Sequence, residues 1–179
     1  MKSRLRLVVA CATIMVVALT VVALDKEKSA PEAAAAKQVA NPEFEKIKGL
    51  VGDWQTKAPD GQVVPTSFRL VSGGSAILIS STEPKEGDMI TVVHPDSKDV
   101  IATHYCSAKN QPRLVAVPSN DPKVVKFKFK DITNLASPDA GHMKAAVFTI
   151  VDADHHTETW TWTEGGKEQV HSFEFTRVR

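Results

Sequence analysis

His104 and Cys106 are the residues whose types and spacing most invite chemistry. Two apart on an extended segment, they present both side chains to one face. A His-x-Cys pair supplies two ligands to zinc or copper, or a thiol beside a base. Two ligands are fewer than the three or four such metals usually take, so a third must come from elsewhere, with His142 a candidate. The plainer reading is a half-buried imidazole bonded to a neighbour, beside a cysteine that behaves as a small apolar residue. His104 is also the best placed histidine for a haem, which needs an inward imidazole facing a large apolar cavity. The sequence names no cofactor.

A second cluster, His142, Asp154 and His156, is a candidate rim metal site if its loops converge. His155 and His156 are adjacent, so on a strand they point to opposite faces and do not chelate one ion simply.

Other residues suit binding rather than catalysis. Asn110, Gln111 and Arg113 can meet a ligand carboxylate or carbonyl at a barrel mouth, with Tyr105 and His104 fixing orientation. Equally, Asn110 can hold a turn and Arg113 can pair with a surface acid. Trp160 and Trp162 share one face of a strand, with Thr159, Thr161 and Thr163 on the other. Facing inward, the two indoles line a pocket with Phe127, Phe129, Phe148, Phe173 and Phe175, or pack with them as core. The chain has no Gly-x-Ser-x-Gly elbow, phosphate-binding glycine loop or His-Glu-x-x-His, and its paired carboxylates fall in loops. Catalysis is not expected.

These side chains need elements to hold them. Asn41 to Leu50 reads as a short helix: Asn41 caps it, Pro42 suits its first position, and Phe44, Ile47 and Leu50 share a face. Gly49 and Gly52 end it, Trp54 follows, and the helix is expected to plug a barrel whose floor Trp54 occupies. Beyond it the period becomes two. Lys123–Lys130 alternates most cleanly, with Val125, Phe127 and Phe129 on one face and lysines on the other. Turns are expected at Lys57–Gly61, Ser72–Gly74, His94–Asp96, Asn110–Pro112, Ser137–Gly141, Asp152–His156 and Glu164–Lys167. The sum is about ten strands joined by short links, an all-β antiparallel up-and-down barrel with one capping helix.

Outside that domain, Lys2, Arg4 and Arg6 precede the uncharged apolar run Leu7–Leu24, which reads as a signal peptide or an uncleaved N-terminal anchor. Residues 25–40 are charged, then Ala-rich, and read as a flexible linker. Export to the periplasm or beyond is expected. Taking the three basic residues of the leader from the 22 Lys and Arg leaves 19 against 21 Asp and Glu, a net charge of about −2. That is far from a nucleic-acid binder's balance. Cys11 departs with the leader, so Cys106 has no intramolecular disulfide partner.

Gly52-Asp53-Trp54 after a short helix, with Arg177 on the last strand, resembles the calycin superfamily of lipocalin-like barrels. The resemblance implies that Gly52, Trp54 and Arg177 are structural, the guanidinium packing across the indole. His104-Tyr105-Cys106, Asn110-Gln111-Pro112-Arg113, Gly141-His142-Met143 and Asp152-Ala153-Asp154-His155-His156 look like segments of an uncharacterised family of small secreted bacterial lipocalin-like proteins. That likeness covers about residues 41–179 and brings no established activity with it; the inward aromatics make a small, largely apolar ligand the first reading. A metal or haem protein and a filled envelope barrel remain the alternatives.

Overall fold

A computed structural model describes residues 40–179. The leader expected over 1–24 lies outside the described residues, as does the expected linker except for Ala40.

Helix α1 (Pro42–Lys48) begins as its sequence dictates. Asn41 holds an extended backbone and its side-chain oxygen accepts the Glu43 N–H at 3.0 Å. The Asn41 amide donates to the Lys98 carbonyl at 2.9 Å, and the Glu43 carboxylate accepts the Ser119 N–H at 3.0 Å. Lys46 bonds both Glu43 and the Ser119 carbonyl. Two turns of the barrel therefore clamp the helix, and its apolar face, Phe44 and Ile47 with Leu50 just beyond, sinks into the core.

Ten strands follow: β1 (Gly52–Lys57), β2 (Val63–Val71), β3 (Ala76–Glu83), β4 (Gly87–Asp96), β5 (Asp99–Tyr105), β6 (Gln111–Val117), β7 (Val124–Thr133), β8 (His142–Ile150), β9 (His155–Glu164) and β10 (Lys167–Arg177). Each pairs antiparallel with its chain neighbour, and β10 returns to β1 to close the barrel. This is the expected all-β up-and-down barrel with its short helix. Three turns sit differently from expectation. The bend expected at Asn110–Pro112 falls at Cys106–Asn110, with Gln111 and Pro112 already paired in β6. Pro95 lies inside β4 opposite Val100, and the chain reverses at Ser97–Lys98, where Ser97 takes a positive φ of 55°. His155 and His156 begin β9 instead of ending the preceding bend.

Closure is narrow. β1 and β10 share two rungs, Trp54↔Arg177 and Gln55↔Thr176, whereas the β9–β10 hairpin runs from Lys167↔Glu164 to Thr176↔His155. The short seam is reinforced by side chains. The Arg177 guanidinium lies 4.1 Å from the Trp54 ring centroid, and it donates to the Val51 carbonyl at 3.0 Å and the Ala153 carbonyl at 2.8 Å. The indole N–H of Trp54 donates to the Leu50 carbonyl at 2.7 Å. Gly52 has φ +143°, and a Cβ there would collide with the Arg177 guanidinium, so this position requires glycine. The guanidinium of Arg177 thus packs across the Trp54 indole, the arrangement the resemblance implies.

Candidate functional site

The helix and the β2–β3, β4–β5, β6–β7 and β8–β9 links stand at one end of the barrel; the other links surround its mouth. Toward the helix the interior is filled, with Trp54, Phe68, Ile77, Val93, Leu114, Val125 and Phe148 essentially without exposure. Toward the mouth it opens into a cavity of about 650 Å³.

One strand supplies the spine of that cavity. His156, Glu158, Trp160 and Trp162 follow one another at alternate positions of β9, so all four face inward. At the bottom, His156 is wedged edge-on to Trp54 (ring centroids 4.3 Å) and stacked on Phe175 (4.6 Å). The buried Glu158 carboxylate is satisfied on both oxygens, by His156 Nε2 at 3.2 Å and by the Trp160 indole N–H at 2.9 Å. Trp160 and Trp162 then climb the wall toward the mouth.

Across the cavity, His104 faces inward from β5 at 5 % exposure. Its Nδ1 bonds the Thr91 hydroxyl at 2.9 Å, its ring lies 5.2 Å from that of Trp160, and its Nε2 has no partner. Burial disfavours the imidazolium and lowers the pKa from 6.5 to about 4, so the ring is neutral at physiological pH. Thr66, also on the wall and buried, has an unpartnered hydroxyl. Cys106 stands half-buried near the mouth. Glu83 and Glu86 belong to the rim; partial burial, and then the nearby charges of Glu86 and Asp60, raise the Glu83 pKa.

Several expected site residues lie elsewhere. Tyr105 is 45 % exposed, because the alternation that turns His104 inward turns its neighbour out. Arg113 is on the outer surface, held by both nitrogens to Asp131 on β7. Asn110 is buried but donates to the Gly141 carbonyl at 2.8 Å, tying two mouth loops together, while Gln111 bonds Thr133 and the Lys109 carbonyl. None of these four acts on the cavity as expected: the first two face solvent and the others are spent on loop structure. Phe127 and Phe148 pack edge-to-face at 5.9 Å in the filled core rather than on the cavity, and Phe129 lies against His142. Trp160 and Trp162 do line the cavity, with Phe173 and Phe175.

The metal clusters do not assemble. The His142 Nδ1 bonds the Ala140 carbonyl, and its ring packs on Phe129 instead of joining His104 and Cys106. His142 pairs with Thr163 at one end of the β8–β9 ladder and Ile150 pairs with His156 at the other, a separation of roughly 25 Å at ~3.3 Å per residue. The rim trio with Asp154 and His156 is therefore split between opposite ends of the barrel. Among the described residues no three His, Cys, Asp or Glu side chains converge on a metal position.

Sequence reasoning missed Glu158, Thr66 and Thr91. The signal for Glu158 was present: β9 alternates four threonines, 157 to 163, with His156, Glu158, Trp160 and Trp162, so the parity that turns the tryptophans inward also turns the carboxylate inward.

No family model matches the chain, and no curated relative does. Among solved structures it is similar to Rv2717c from M. tuberculosis, with a TM-score of 0.51 at 15% identity over 77% of this chain and 98% of that one. A likeness at that identity shows the fold, and with the closed ten-strand topology it fits a lipocalin-like barrel.

Proposed function

We propose that this chain is an exported, non-enzymatic member of the calycin-type barrels that binds a small, largely apolar molecule in the open half of its barrel. The observation that carries this reading is the cavity itself. At about 650 Å³ it falls within the ~300–1,000 Å³ of small-molecule pockets. Two indoles and two phenyl rings, with Ile79, Met89 and Met143, make the apolar part of its wall, and two buried polar atoms on that wall, Thr66 Oγ1 and His104 Nε2, have no protein partner. Buried polar groups are costly unless satisfied, and a ligand with one or two polar atoms would satisfy them. Export is supported by the basic start and apolar run of residues 1–24, and attachment to a membrane would come only through that segment if it stays uncleaved. The charge balance argues against nucleic acid as a partner.

The test is a titration with N-phenyl-1-naphthylamine, a neutral apolar fluorophore, alongside native mass spectrometry of the purified protein. Trp162→Ala is the informative variant, because the Trp160 indole also satisfies Glu158. Saturable binding weakened about tenfold by Trp162→Ala, a loss of ~1.4 kcal/mol, supports the reading. Absence of saturable binding would leave a structural envelope barrel.

A second reading rests on the His104 ring. A neutral imidazole with a free Nε2 is the form in which histidine ligates metals, so a haem seated against His104 would find an axial ligand. A Soret band in the natively purified protein, lost in His104→Gln, would favour it.

A further inference from the structure

The residues around the cavity carry an unbalanced charge. Three carboxylates belong to its lining, Glu158 at depth and Glu83 and Glu86 at the rim, and no lysine or arginine does. The deep carboxylate is already engaged by His156 and Trp160. The rim pair has no such partners: Lys85, between them in the chain, points to Asp60 at 2.9 Å and is largely exposed. Lys109 and Lys167 stand in other mouth loops, also outside the lining. Glu83 is partly desolvated beside like charges, so a cation arriving there would be stabilised by groups that now repel one another. Below the rim come Trp162, Trp160 and Phe173, and ring faces attract cations.

Resting on the reading that the cavity binds a small apolar molecule, we propose that its ligand is an organic cation: an amine or quaternary ammonium head held at Glu83 and Glu86, with an apolar body between Trp160, Trp162 and Phe173. Fatty acids and other carboxylates are the wrong charge for this mouth. The two unpartnered wall atoms, Thr66 Oγ1 and His104 Nε2, lie on the wall around the body and mark the space as one built for an occupant. The proposal also separates this chain from a carrier of an anionic cofactor, whose acidic groups would emerge among the rim glutamates.

Competition between probes of one length decides it. Decylammonium, decanol and decanoate, each below its micelle concentration, would be used to displace N-phenyl-1-naphthylamine from the full mature chain at pH 7.5 and low salt. Decylammonium should displace the fluorophore at a concentration about tenfold lower than decanoate, a difference of ~1.4 kcal/mol, with decanol between. The double variant Glu83→Gln/Glu86→Gln should bring the three together, each competition being read against that variant's own fluorophore affinity. Fluorophore binding with decanoate equal to or better than decylammonium would overturn the charge assignment and leave the cavity reading standing. So would an unchanged preference in the double variant. Failure of the fluorophore and all three competitors to bind would overturn both.

Discussion

The two ends of this barrel are built from similar residues under opposite rules. At the helix end every large side chain has neighbours on all sides: Trp54 is held by the Leu50 carbonyl, the Arg177 guanidinium and the edge of His156, and α1 is clamped by hydrogen bonds to two turns. At the mouth the same kinds of side chain line empty space, and polar atoms on its wall are left without partners. The difference teaches that aromatic content alone does not tell core from site. What separates them is packing: His156, toward the helix, is enclosed by the rings of Trp54, Phe68 and Phe175, whereas Trp160 and Trp162 border the cavity. An unpartnered nitrogen does not separate them, since His156 Nδ1 and His104 Nε2 both lack a partner.

Substitutions at the two ends should therefore separate stability from binding. The largest effect is expected for Trp54→Ala, which opens a void against the helix and removes the platform for Arg177. It should cost about 3–5 kcal/mol in urea denaturation and prevent folding if the barrel has little to spare. A loss no greater than that of Trp162→Ala would erase the distinction between the ends.

Next is the acid response of His104. The unfolded imidazole takes up its proton near pH 6.5, while the folded one holds off until about 4. Between those values the unfolded chain binds more protons, so stability that is complete above pH 6.5 falls progressively toward pH 4. The loss attributable to this residue is about 3 kcal/mol. His104→Gln should flatten that part of the profile, measured by denaturant unfolding at stepped pH; an unaltered slope would mean the ring is not held neutral.

Arg177→Met keeps much of the volume but removes the cation over Trp54 and the donors to Val51 and Ala153. It should cost about 1–2 kcal/mol, mostly as faster unfolding, since the backbone seam there is short: two paired rungs and the Val178 N–H to Asp53 carbonyl bond at 2.8 Å. Smallest of all, Tyr105→Ala and Arg113→Ala should leave probe affinity unchanged, as both side chains face solvent. A marked effect of either on binding would move the site to the outer surface.

Much of this was legible in the residues. Period-two runs and turn chemistry specify ten strands, and Gly52, Trp54 and Arg177 specify how the ends meet, because each of those signals is local or rests on a distinctive residue type. The site was half legible. Strand parity placed His104, Trp160 and Trp162 inward, and the same rule applied to Glu158 would have added it, and applied to Tyr105 would have removed it. What parity does not give is height along the barrel. Phe127 and Phe148 have the right parity but stand in the filled part of the interior, and His142 and His156 fall at opposite ends of one ladder. Height depends on the register of all ten strands together, which no short window contains.

The most direct test is a crystal soaked with bromobenzene and measured at the bromine absorption edge. Anomalous density among Trp160, Trp162, Phe173 and His104, with the helix end unchanged, is the expected result. Density only on the outer surface, or a mouth closed by its own side chains with no bromine inside, would contradict the division of the barrel into a packed half and a receiving half.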